Sequence, residues 1–148
     1  VYKVFKVKKN KKQKSIYYKP LYVRTKRNDK LICSIPLQSI KQTKIRKPLS
    51  KTKYQDFLIS LNKPIKDETK VDLKDKEIFY SINLTKKSKV LRKLWKARQS
   101  AERKISATEK NFFNKLIKST KEEIAYLFDI DPEEAEQKIY SELGECLC

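Results

Sequence analysis

The stretch KKSKVLRKLWKARQSAERKISATEKNFFNKLIKSTKEEIAYLF, Lys86 to Phe128, decides how this chain folds. In its first half Val90, Leu91, Leu94 and Trp95 recur at the three-and-four spacing of one helix face, continued by Ala101 and Ile105. Lys89, Arg92, Lys93, Lys96, Arg98, Arg103 and Lys104 cover the remaining surface. In its second half Phe112, Phe113, Leu116, Ile117, Ile124, Leu127 and Phe128 line another face. Ser106 and Glu109 stand at the spacing of a capping box, so one helix ends near Ile105 and another starts there. One side of the stretch requires a core and the other attracts anions; Trp95 is expected to pack inward.

Beyond it, Asp131-Pro132-Glu133-Glu134 is a strong start signal. It offers an N-cap, a proline at the first helical position, and acids that meet the positive end of the helix dipole. Ala135, Ile139, Tyr140 and Leu143 supply the apolar face of this helix, and Gly144 ends it. The run Glu123 to Ile130 with the helix that follows resembles a helix-turn-helix motif at Ala125, Ile130, Ala135 and Ile139. The resemblance implies a second helix shaped for a major groove. Here that helix carries Glu133, Glu134 and Glu136 against Lys138, which a groove would repel, and Asp129 replaces the small turn residue. The pair is therefore expected to be an acidic hairpin for packing or protein contact, with Glu133, Glu134 and Tyr140 as contact residues.

Towards the N-terminus the pattern changes to short β-rich runs. VYKVFKV, Val1 to Val7, alternates Val1, Lys3, Phe5 and Val7 against Tyr2, Val4 and Lys6, as an extended strand would. Ser15 to Thr25 and Leu31 to Leu37 read as two further strands, with Pro20 and Pro36 favouring edges or bulges and a turn over Lys26 to Lys30. Tyr17, Tyr18 and Tyr22 offer rings on which bases can stack, although strands more commonly use such rings for packing. Gln38 to Lys53 reads as an extended basic linker, Tyr54 to Leu61 as a helical turn or short strand stopped by Pro64, and Glu77 to Leu84 as a further strand.

The expected class is thus α+β: a small N-terminal antiparallel β segment with extended basic arms, then C-terminal α-helices including an acidic helical hairpin. The expected division is 1–54 basic and extended, 55–85 linker and strand, and 86–148 helical.

The 148 residues hold 37 Lys and Arg against 18 Asp and Glu, a net charge of +19. The surplus is segregated. Residues 1–54 carry 18 basic and 1 acidic side chain, residues 86–121 carry 13 and 2, and residues 122–148 reverse the sign with 1 and 9. A compact body with this imbalance repels itself unless a polyanion quenches it. The chain has no apolar run of the roughly 18 residues a spanning helix needs. Its one glycine, Gly144, rules out glycine-rich phosphate cradles.

With no histidine to act as a base, and acids gathered where helix capping explains them, catalysis is not expected. A metal-dependent nuclease built on Asp67, Glu68, Asp72 and Asp75 is the enzymatic alternative, but their spacing in a Lys-rich loop matches no trusted arrangement. Cys33, Cys146 and Cys148 are odd in number and read as reduced thiols rather than as metal ligands; no cofactor is expected.

These observations point to a structural RNA-binding protein within a large ribonucleoprotein, a ribosome first, with RNA and neighbouring proteins of the assembly as partners and no membrane. Lys8, Lys9, Lys11, Lys12 and Lys14, then Arg24, Lys26 and Arg27, form one expected set of phosphate contacts. Lys41, Lys44, Arg46, Lys47, Lys51 and Lys53 form a second, and Arg92, Lys93, Lys96, Arg98, Arg103 and Lys104 a third. The start at Val1 and the lack of Met fit a product processed on import into an organelle such as the mitochondrial matrix, or a trimmed piece; cytoplasm or nucleus is the alternative. A duplex-DNA or chromatin protein and a basic scaffold for an acidic protein are the competing readings.

Overall fold

The computed structural model describes residues 1–9, 13–22, 31–43, 45–65, 71–100 and 104–144. The chain is α+β, and it divides after Lys47 into a β unit and a helical unit.

In the first unit β1 (Tyr2–Lys9), β2 (Lys14–Pro20) and β3 (Cys33–Pro36) form an antiparallel sheet in the order β1-β2-β3. Leu21 donates its N–H to the Val1 carbonyl at 2.9 Å and closes the open end of the hairpin. A 3-10 helix, Leu37–Gln42, follows β3 directly and packs on β2 and β3. Thr43 ends it by giving both its N–H and its hydroxyl to the Ile40 carbonyl, at 3.1 and 2.8 Å.

β1 departs from simple alternation. Its register against β2 shifts between Val4 and Lys6, leaving Phe5 in a bulge without a cross-strand partner. The extra residue reverses the facing of everything after it, so Lys6 and Lys8 share the side of Lys3, and Val7 shares the side of Tyr2 and Val4. This corrects the expected grouping of Lys3 with Phe5 and Val7. Strict period-two reading cannot survive an inserted residue.

The helical unit is built from α1 (Lys51–Leu61), α2 (Leu84–Gln99), α3 (Ala107–Phe128) and α4 (Pro132–Glu142). Each start is capped by a side chain: Ser50 accepts from the Lys53 N–H, Asn83 from Lys86, Ser106 from Glu109 and Asp131 from Glu133. The Ser106–Glu109 box is complete, because the Glu109 carboxylate also accepts from the Ser106 N–H at 2.9 Å. α3 ends at Asp129, which takes the left-handed conformation at φ 56°.

Tyr54, Phe57 and Leu61 of α1, Leu91, Leu94 and Trp95 of α2, Phe112, Phe113, Leu116, Ile117, Ile124 and Ala125 of α3, and Ala135 and Ile139 of α4 form one core. The Trp95, Phe113 and Tyr140 rings lie 5.6 to 6.4 Å apart by centroid and tie α2, α3 and α4 together. Polar pins complete the packing. Glu123 accepts from the Leu49 N–H at 2.9 Å, holding the approach to α1 against α3, and the Ser60 and Ser88 hydroxyls meet at 2.7 Å between α1 and α2.

Two expected elements differ. The strand over Glu77 to Leu84 is instead a 3-10 turn, Lys76–Phe79, followed by the start of α2. The alternation of Ile78, Tyr80 and Ile82 was misleading, since only Ile78 is buried while Tyr80 and Ile82 stay 56% and 65% exposed. The basic linker to Lys53 is broken by the Leu37–Gln42 turn, and its last residues enter α1, because Ser50 caps a helix that reaches Leu61.

Candidate nucleic-acid interface

Cross-strand partners in an antiparallel pair project to the same face, so the register assigns the faces of the sheet. Lys3 pairs with Lys19, Lys6 with Tyr17 and Lys8 with Ser15, while Tyr17 pairs with Ser34 and Ser15 with Pro36 on β3. These residues make one polar face. On the other side Val4 pairs with Tyr18, Val7 with Ile16, Ile16 with Ile35 and Tyr18 with Cys33, an apolar face that ends at the Lys9–Lys14 pair. Ring geometry agrees with both assignments. Tyr2 meets Tyr18 edge-on at 5.4 Å, and the Lys8 ammonium lies 5.7 Å from the Tyr17 ring centre.

Lys3, Lys6, Lys8 and Lys19 are all exposed, and the only acid in residues 1–54 is Asp29. Lys3 opposite Lys19 and Lys9 opposite Lys14 are like charges set directly across a ladder, an arrangement that disfavours the sheet.

In the helical unit a second row of cations runs along α2. Lys86, Lys89, Lys93 and Lys96 fall at i, i+3, i+7 and i+10, opposite the Leu91, Leu94 and Trp95 stripe, and span about 15 Å. Lys89 and Lys96 are exposed and Lys93 half-buried. Lys86 forms an ion pair with Asp75, whose carboxyl is held below the usual aspartate range by that hydrogen bond, while Lys86 is raised by the same contact.

The residues expected to bind phosphate are placed differently from one another. Arg92 donates to the Lys63 and Pro64 carbonyls at 2.6 and 3.2 Å, so its guanidinium fastens the end of α1 to α2. Arg98 lies over the Trp95 indole, 5.3 Å from its centre, and remains exposed. Lys104 is exposed between α2 and α3.

Lys8, Lys9, Lys14, Lys41, Lys47, Lys51 and Lys53 are exposed. Arg46 is half-buried and donates to the Lys47 carbonyl at 3.0 Å. Lys11, Lys12, Arg24, Lys26, Arg27, Lys44 and Arg103 lie outside the described residues, as do Asp67, Glu68, Cys146, Cys148 and the turn over Lys26 to Lys30.

No protein-family model matches this chain, and no curated protein matches its sequence.

At the acidic end Glu133 and Glu134 are exposed, and Glu134 pairs with Lys138 at 3.6 Å. Tyr140 is half-buried against Trp95 and Phe113, so part of its ring serves the core. Lys121 is buried and ion-paired with Glu136, which welds α3 to α4. Among the described residues no group of three His, Cys, Asp or Glu side chains could hold a metal ion, and no helix is long and apolar enough to cross a membrane.

Lys3, Lys6 and Lys19 were not among the expected phosphate contacts; their common face follows from the register of β1 against β2, whereas simple alternation sets Lys3 and Lys6 on opposite sides. Lys89 was likewise outside the expected set, although its position seven residues before Lys96 on the exposed stripe was readable.

Proposed function

We propose that this chain is a structural RNA-binding component of a large ribonucleoprotein particle, with a ribosome as the particle that best fits its surplus of Lys and Arg. The observation that carries the reading is the pair of exposed lysines Lys89 and Lys96, with half-buried Lys93 between them, set opposite the apolar stripe of α2 and backed by a core that fixes their orientation. A helix with a cationic stripe set opposite its apolar stripe presents a line of charge to a phosphate backbone, and the charge acts without any need for base readout. The acidic α4, with Glu133 and Glu134 facing outward, suits a protein neighbour better than a nucleic acid.

Sedimentation of native extract through a gradient, with and without ribonuclease, tests the reading. The chain is expected in a heavy particle that ribonuclease disperses. Sedimentation unchanged by ribonuclease but shifted by deoxyribonuclease would favour the chromatin reading. A complex resistant to both would favour an acidic protein partner.

A further inference from the structure

The β unit carries a binding surface of its own. We infer that the lysine face of the sheet takes a single-stranded RNA segment, with Lys3, Lys6, Lys8 and Lys19 on its phosphates and one base stacked on Tyr17. This deepens the RNA-binding reading above and rests on it.

The bulge at Phe5 supplies the first argument. Without the inserted residue, Lys3 would be separated from Lys6 and Lys8; with it, all three share one side with Lys19. Lysines on an edge strand can serve simply to discourage edge-to-edge pairing. That account covers β1 but not Lys19, because β2 is the central strand.

The direct Lys3–Lys19 pairing supplies the second argument. Such a pair costs stability in isolation, and a polyanion lying across both side chains relieves that cost.

The third argument is Tyr17. A ring on the apolar face would be explained by packing, as Tyr18 is by its contact with Tyr2. Tyr17 instead sits among the lysines, half-buried, with the Lys8 ammonium 5.7 Å from its ring centre. A cation-flanked aromatic on an open sheet suits an unstacked base, which a duplex does not offer.

The test uses the full chain with a labelled oligouridylate and an RNA duplex of equal length. Tyr17→Leu is expected to weaken oligouridylate binding by roughly 5-fold or more and to leave duplex binding unchanged. Joint replacement of Lys3, Lys6 and Lys19 by Gln is expected to flatten the dependence of log affinity on log salt by about 2 for the single strand. This change removes a like-charge pair, so loss of the sheet would not account for it. Ultraviolet cross-linking of the unaltered chain to the same oligouridylate is expected to place an adduct on Tyr17, which keeps the test valid even if Tyr17→Leu perturbs folding.

RNA binding that is indifferent to these replacements, with adducts confined to α2, overturns the inference and leaves the general reading standing. An equal loss for single strand and duplex overturns the stacking assignment. Failure of the chain to bind any RNA overturns the general reading, and the inference with it.

Discussion

Replacing Lys89, Lys93 and Lys96 together by Gln removes the line of charge along α2. The three positions oppose the buried stripe of Leu91, Leu94 and Trp95, with Lys89 and Lys96 exposed and Lys93 half-buried, so no apolar core side chain is replaced. Lys86 is kept, because it holds Asp75. If each of the three neutralises one phosphate, log affinity against log salt should flatten by about 2 for single-stranded RNA and about 2.7 for a duplex. At 0.1 M salt a flattening of 2 amounts to about 100-fold weaker binding.

Arg92→Gln on the same helix is the contrasting variant. It removes the donors to the Lys63 and Pro64 carbonyls, an exposed charge-assisted contact worth about 1 kcal/mol. Its Tm should therefore fall by about 4–8 °C while the salt slope holds. Fluorescence anisotropy across a salt series, with thermal melts of each protein, separates the two effects. An unchanged slope in the triple variant, or a slope lost with Arg92→Gln, would refute the assignment of these side chains.

Phe113→Ala removes a ring 1% exposed that packs between Trp95 and Tyr140, and should cost about 3–5 kcal/mol in urea unfolding followed by Trp95 fluorescence. A loss under about 1 kcal/mol would remove that ring cluster from the core. Asp129→Gly should raise stability by about 0.5–1 kcal/mol, because Asp129 holds a left-handed conformation that glycine adopts without a Cβ clash; a fall in Tm would contradict this.

The Asp75–Lys86 pair should show up in acid and in base. Since folding lowers the Asp75 pKa, its stabilising effect is complete above the ordinary aspartate value and is lost as pH falls through the lowered one. Since folding raises Lys86, its effect is present at neutral pH and is lost as pH rises through the raised value. In Lys86→Ala, an NMR titration should find Asp75 returned upward, and no return would sever the pair.

Much of the helical unit was legible because its signals are local. The Ser106–Glu109 box and the Asp131-Pro132 start each lie within a single turn, and the three-and-four stripes identify the faces of α2 and α3 directly. Asn83 was an equally readable cap for α2, obscured by the apparent alternation from Ile78 to Leu84. What could not be read depends on residues far apart in sequence. Arg92 looks like any surface arginine until α1 brings the Lys63 and Pro64 carbonyls beneath it. The Phe5 bulge has no glycine to announce it, so the lysine face emerges only from the pairing of β1 with β2.

The two units meet opposite energetic problems. The helical unit buries aromatic and aliphatic side chains from all four helices, and each fully buried one contributes on the order of 1.5–3 kcal/mol. Among the described residues of the β unit none is buried to that degree. Its sheet exposes Tyr2, Val4 and Val7 at 54–61% on one side and opposes lysines on the other. Three short strands whose apolar face stays exposed along β1 gain little from folding alone. A polyanion relieves the charged face but offers nothing to the apolar one. If the lysine face takes RNA as inferred above, surroundings that also supply protein surface would satisfy the two faces at once, the situation of an assembly component rather than of a freely diffusing RNA-binding protein.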